Sequence, residues 1–176
     1  MKVKTDSDHA GCKETRLSTS CCLLLRGNHM LRCSSSTQKI QGLSSGESEF
    51  MSLVRGGSIG LGAKAMTADL GQKFDLDLET DSSAAKGVAS RRGVGKIRHL
   101  HTPLLWLQRR VTRRELRVWR IPGTENEADI GTKPLGGDLL DRILQKLGFV
   151  FEAGASKQAL QATVGLARPE PARGEG

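Results

Sequence analysis

The chain of 176 residues carries 27 Lys and Arg against 19 Asp and Glu, a formal net charge of +8. That length suits one domain with a real core and is short for two. No stretch approaches the ~20 apolar residues of a membrane span, and the opening M-K-V-K-T-D-S-D lacks the apolar core of a secretory signal. Cys12, Cys21, Cys22 and Cys33 include an adjacent pair and no C-x-x-C. This argues against a zinc site or a disulfide framework and for free thiols in a reducing compartment. The expectation is an intracellular protein, cytoplasmic or nuclear, with no targeting signal and no membrane association.

In chain order, residues 2 to 6 predict a short strand ending in Asp6, and Ser18 to Leu25 a second. Arg26-Gly27-Asn28 reads as a hairpin turn into a third strand, from His29 to about Ser36. A long helix is expected from Ser45, as N-cap, to Leu70 before Gly71, with Glu47 and Glu49 in its first turns. Inside it lie Gly56, Gly57, Gly60 and Gly62, each expected to cost up to ~1 kcal/mol relative to Ala. Phe74 to Asp81 alternates apolar and acidic residues, so it predicts a strand with one buried face.

Ser82 then caps a short helix toward Arg92, and residues 96 to 113 predict another, with Leu100, Leu104, Leu107 and Val111 on one face. Leu116 to Ile121 alternates as a strand. Beyond Pro122-Gly123, Thr124 or Asn126 caps a helix that holds Asp129 and ends at Lys133-Pro134. Leu139 to Leu147 predicts a last amphipathic helix. The composition after Glu152 suggests a frayed tail, so a domain over 1–150 and a disordered tail over 151–176 are expected. The order βββ-α-β-α-α-β-α predicts an α/β fold, a mixed sheet of the α+β kind with helices against it.

The positive charge is not spread evenly. Residues 86 to 120 hold eleven Lys or Arg against the single acid Glu115, which gives this segment +10 and leaves the remainder at −2. Such a density suits contact with a phosphate backbone. Arg91, Arg92, Lys96 and Arg98 are the best placed for that grip. His99 and His101 have no acid or Cys at ligand spacing and read as structural or phosphate-contacting. G-V-G-K at 93 to 96 lacks the earlier glycine and the following Ser or Thr of a P-loop. The glycines at 56 to 62 follow no strand, so no dinucleotide fingerprint is supported.

Four acids carry the chemistry: Asp6 in T-D-S-D-H-A-G, Glu49 in L-S-S-G-E-S-E-F, Asp81 in L-E-T-D-S-S-A-A and Asp129 in E-N-E-A-D-I-G-T-K-P-L. Each sits at the end of a strand-like run or on a helix-like run, where a fold could gather carboxylates from distant positions. Clustered carboxylates bind hard divalent cations. From Asp6 to about Phe149, the ordered set D-S-D-H-A-G, T-R-L-S-T-S, S-S-T-Q, L-S-S-G-E-S-E-F, T-D-S-S-A-A-K-G, K-I-R-H-L, L-W-L-Q and A-D-I-G-T-K-P-L resembles the ribonuclease H domain of copia-type retrotransposon Pol polyproteins. In that family the domain follows a reverse transcriptase and degrades the RNA strand of RNA–DNA hybrids.

The resemblance implies a ribonuclease H-like fold with a five-stranded mixed sheet, and Asp6, Glu49, Asp81 and Asp129 as catalytic, metal-binding acids. It implies two Mg²⁺ ions, with Mn²⁺ as a substitute: Asp6 would bridge both, Glu49 and Asp81 would hold the one beside the leaving oxygen, and Asp129 the one that activates water. Of the pair in E-S-E, Glu49 is preferred because the apolar Phe50-Met51 follows it, while Glu47 would point roughly 200° away on a helix. Ser7, Ser82 and Ser83, beside these acids, could donate to sugar or phosphate oxygens, although serines there also act as helix caps. The 2′-hydroxyls of the RNA strand would select the hybrid, and a polymerase domain would be the partner in a parent polyprotein. The alternative is a catalytically inactive remnant that only binds nucleic acid. An integrase or transposase on a related fold is disfavoured, because those use three acids.

Overall fold

The computed structural model describes residues 1–93, 95 and 105–149. Five strands form one sheet in the order β3-β2-β1-β4-β5. They are β1 (Lys2–Ser7), β2 (Thr19–Arg26), β3 (His29–Thr37), β4 (Asp77–Thr80) and β5 (Arg117–Arg120). β1, β2 and β3 pair antiparallel, whereas β4 runs parallel to both β1 and β5. Gly27, with a φ of 60°, makes the β2–β3 turn expected at Arg26-Gly27-Asn28. The sheet is therefore mixed, as the order of elements predicts.

β2 reads T-S-C-C-L-L-L-R because it is covered on both sides. Cys22 and Leu24 join Val3, Phe50, Leu53, Leu76, Leu78 and Leu107 in one core. Cys21, Leu23 and Leu25 join Ala128, Ile143 and Leu147 in a second. Helices α1 (Ser45–Asp69), α2 (Ser83–Ser90) and α3 (Trp106–Thr112) supply the first layer, and α4 (Gly137–Lys146) supplies the second.

Several boundaries differ from expectation for local reasons. Ser44 rather than Ser45 caps α1, accepting the Glu47 backbone N–H, and the Glu47 carboxylate accepts from the Leu43 amide. This is a reciprocal arrangement close to a capping box. β4 is four residues long and starts at Asp77, so Phe74 and Asp75 precede the strand; Phe74 stacks against the Arg26 guanidinium. The segment carrying Asp129 is not an α-helix but two 3₁₀ turns, Gly123–Glu125 and Glu127–Gly131, with Asn126 as the cap. The expected helix over 96–113 is seen as α3; its residues 96–104, with Leu100 and Leu104, lie outside the described residues, as does the 151–176 tail.

The α1 glycines overturn the expectation that they are only a cost. A Cβ on Gly56 would stand 2.4 Å from a Thr5 methyl, one on Gly57 2.8 Å from Leu107, and one on Gly60 2.7 Å from Leu76. These glycines let the helix backbone settle against β1 and β4 closer than any side chain allows. Gly62 alone faces open space. Gly56→Ala should therefore lower stability by about 1–3 kcal/mol through overpacking, whereas Gly62→Ala should raise it by up to ~1 kcal/mol. Urea unfolding midpoints of the two variants check the opposite signs.

Candidate active site

The parallel β1–β4 pair is what brings the first two acids together. Lys2, Val3 and Lys4 lie beside Asp77, Leu78 and Glu79, and the same register carried two residues further sets Asp6 beside Asp81. Glu49 arrives from the second turn of α1, whose backbone is held at this end by the Ser52 hydroxyl donating to the Asp6 carbonyl, 2.7 Å away. One oxygen from each of Asp6, Glu49 and Asp81 lies within 4.8 Å of the others. Glu47 is spent on the cap of α1, so the geometry separates the two glutamates of E-S-E as their side-chain directions predict. Asp8, two residues after Asp6, is likewise spent, accepting from the Thr19 amide across the hairpin.

Asp129 lies outside that group of three and reaches it by another route. The Asn126 amide donates to the Thr5 carbonyl at 2.9 Å, and the Lys4 ammonium donates to the Glu125 carbonyl at 2.7 Å while pairing with Glu127. These contacts pin the 3₁₀ segment onto β1. Gly131 then passes so near β2 that a Cβ there would meet the Cys21 sulfur at 2.4 Å. Beyond it, the Thr132 hydroxyl donates to Asp6 Oδ2, and the Lys133 ammonium sits 2.8 Å from Asp129 Oδ1 and 3.6 Å from Asp6 Oδ2. Thr132 and Lys133 went unread in the sequence because T-K-P looks like a helix terminus.

The charges are confined. The Asp6 side chain is 1% exposed, and Asp6 Oδ1 and Glu49 Oε2 are buried without a hydrogen-bond partner. Burial, then the negative charges of Asp129 and Asp81, push Asp6 up to about 6 against the pull of Thr132 and Lys133. Burial, then Asp6 and Asp81, push Glu49 up to about 8, opposed by the Ser7 backbone amide and Lys133. Burial opposes the charge on Lys133, but the Asp129 hydrogen bond and the carboxylates around it raise its pKa. Buried carboxylate oxygens that lack any donor suit a hard divalent cation, which takes oxygen ligands and favours their ionised form. The donor set fits Mg²⁺ or Mn²⁺ and contains no nitrogen or sulfur that would favour zinc.

The remaining candidates fall into separate places. Ser7 is buried, its hydroxyl donating to the Asp8 carbonyl and accepting from Gln38, which also holds Ser20 and the Ser48 carbonyl. Ser82 caps α2, accepting from the Ala85 amide at 3.1 Å, and Ser83 is exposed on its first turn. Arg92 is exposed, and Arg91 lies across Gly95, where a Cβ would come within 2.6 Å of the guanidinium carbon. Lys96, Arg98, His99 and His101 lie outside the described residues. Arg92 lines an open groove of about 310 Å³ with Arg109 and Arg113. Gln108, the last residue of L-W-L-Q, holds its floor by bonding both the amide and the carbonyl of Gly93 and the carbonyl of Val88.

Solved structures resemble this arrangement of elements. LC11-RNase H1, isolated from compost by a metagenomic approach, matches in a complex with an RNA/DNA hybrid at a TM-score of 0.50 and 17% identity, over 81% of this chain and 98% of the other. Another structure of LC11-RNase H1 matches at 0.50 and 15%, over 81% and 96%. The chain has the ribonuclease H fold. The N-terminal RNase H domain of Rv2228c from Mycobacterium tuberculosis also aligns, at a TM-score of 0.49 and 18% identity, over 82% of this chain and 95% of that one. No family model matches the sequence, and no curated protein matches it significantly. Among the described residues no helix is long and apolar enough to cross a membrane.

The raised carboxyl pKa values set a pH dependence. A carboxyl that holds its proton more tightly folded than unfolded withdraws stability as pH rises from ~4, its unfolded value, through its folded one. Here that window runs from ~4 through about 6 for Asp6 to about 8 for Glu49. In EDTA the melting temperature should fall as pH rises from 5 to 8, and Mg²⁺ should recover it most at pH 8. A melting temperature that stays flat or rises over this range contradicts the assignment.

Proposed function

We propose that the chain is a metal-dependent ribonuclease H that hydrolyses the RNA strand of RNA–DNA hybrids, and that it derives from a copia-type retrotransposon Pol polyprotein. The observation that carries the activity is the gathering of Asp6, Glu49 and Asp81, in which Asp6 Oδ1 and Glu49 Oε2 are buried without a donor. A structural carboxylate would be satisfied by a donor; these are kept free at a cost in burial. The retrotransposon origin rests on the ordered motifs from D-S-D-H-A-G to A-D-I-G-T-K-P-L. A reverse transcriptase domain would be the partner in the parent polyprotein.

Asp6, Glu49 and Asp81 would hold one divalent ion, and Asp6 with Asp129 a second, Mg²⁺ by preference. When bound, such ions neutralise charge developing on the attacking and leaving oxygens of a phosphodiester. The chain's own part is to fix the carboxylates. Asp6 is locked by the sheet, Glu49 by α1, Asp81 by the β4 register and the Ser82 cap behind it, and Asp129 by the Asn126 cap. Ser83, exposed on the first turn of α2 two residues after Asp81, would read the 2′-hydroxyls of an RNA strand. Arg91, Arg92, Arg109 and Arg113, with Lys96 and Arg98 from the neighbouring sequence, supply positive charge for the opposite strand's phosphates.

A labelled RNA–DNA hybrid in Mg²⁺ tests the reading, with an RNA duplex as control. Cleavage should be confined to the hybrid. In Asp81→Asn it should fall by more than the ~10–100-fold that loss of an outer partner of a metal ligand costs, with circular dichroism unchanged. A folded wild-type chain that binds the hybrid and leaves it intact would instead be the silent binding remnant.

A further inference from the structure

The two sides of Asp6 are not equivalent. Oδ1 is buried and has no hydrogen-bond partner. Oδ2, on the Asp129 side, accepts from Thr132 and lies 3.6 Å from the Lys133 ammonium, which is 2.8 Å from Asp129. One Asp6 oxygen thus lacks any donor, and the other already faces a positive charge held between the two carboxylates that would share an ion.

We infer that Lys133 is a tethered cation that fills the Asp6–Asp129 half of the cluster in the nucleic-acid-free protein, so that only one divalent ion binds at rest. This rests on reading the four acids as metal ligands. An ammonium placed between two carboxylates offsets their repulsion as a metal would, and a divalent ion entering there must displace it. The Lys133 side chain is 45% exposed, against 1% for Asp6, so the ammonium can swing to solvent or to an arriving phosphate without disturbing the core. Asp6 stays fixed meanwhile, because its backbone is held in β1 and by Ser52. Lys133 is a positioning residue: it sets when the second ion site opens and supplies no ligand.

Counting bound Mn²⁺ by the electron paramagnetic resonance of the free ion, on the full chain without nucleic acid, reads this directly. The wild-type chain should bind one Mn²⁺ over the range in which Lys133→Met binds two. Affinity for the second ion should rise by the ~10–100-fold seen for changes beside metal ligands. Lys133→Arg, which keeps the charge, should hold the count at one, and Lys133→Gln replaces Lys133→Met where circular dichroism shows the latter unfolded. An unchanged count in a folded neutral variant overturns the inference, as does a wild-type count of two. No binding by any folded form would instead remove the reading of the acids as ligands, and this inference with it.

Discussion

Like charges repel most where water is thinnest, and the fold spends much of its architecture holding four carboxylates near the ends of the interior strands β1 and β4. The parallel pairing of β1 and β4 is the constraint on which the rest depends. It sets the strand ends carrying Asp6 and Asp81 side by side, and it forces the intervening chain to cross over as α1, which brings Glu49. The 3₁₀ segment can deliver Asp129 only because Asn126 and Lys4 bind it to the strand that carries Asp6. Repulsion and burial appear together in the upward displacement of Asp6 and Glu49, and a bound cation relieves both.

The close approach of α1 to the sheet is the second element of the design. Gly56, Gly57 and Gly60 trade helix propensity for proximity, a loss per residue that the dense contacts with Thr5, Leu107 and Leu76 offset. Without that proximity the second turn of α1 would stand farther from β1, and Glu49 with it. Serine at position 52 serves the same end: it is small enough to fit between helix and sheet, and it reaches the Asp6 and Cys21 carbonyls.

Much of this was legible in the sequence, for reasons that differ by element. The strands announced themselves by period-two alternation or by an apolar run bounded by a turn, and the three clustered acids by their place at strand ends and beside an apolar helix face. The glycines misled, because propensity is a local property while the reason for them lies in residues such as Leu76 and Val3 that only the fold places opposite. The boundary at Ser44 shifted by one because Ser44 and Ser45 are chemically the same cap, and only backbone geometry chooses. The 3₁₀ setting of Asp129 was not legible, since the Asn126 contact to Thr5 that holds that segment joins residues 121 positions apart. Lys133 stayed unread because a lysine four residues after an aspartate is ordinary helix chemistry until Asp6 is seen beside it.

The tie between Thr132 and Asp6 spans 126 residues, from a strand at the start of the chain to a turn near its end. A chain made from its N-terminus therefore exposes Asp6, Glu49 and Asp81 well before the turn that carries Lys133 exists. During synthesis the sheet's first hairpins can close locally, but the anionic cluster remains without its internal counter-charge until residue 133 has emerged, and only a solvent cation can serve there in the meantime. The order in which residues are delivered thus makes the nascent domain more dependent on its ionic surroundings than the finished one.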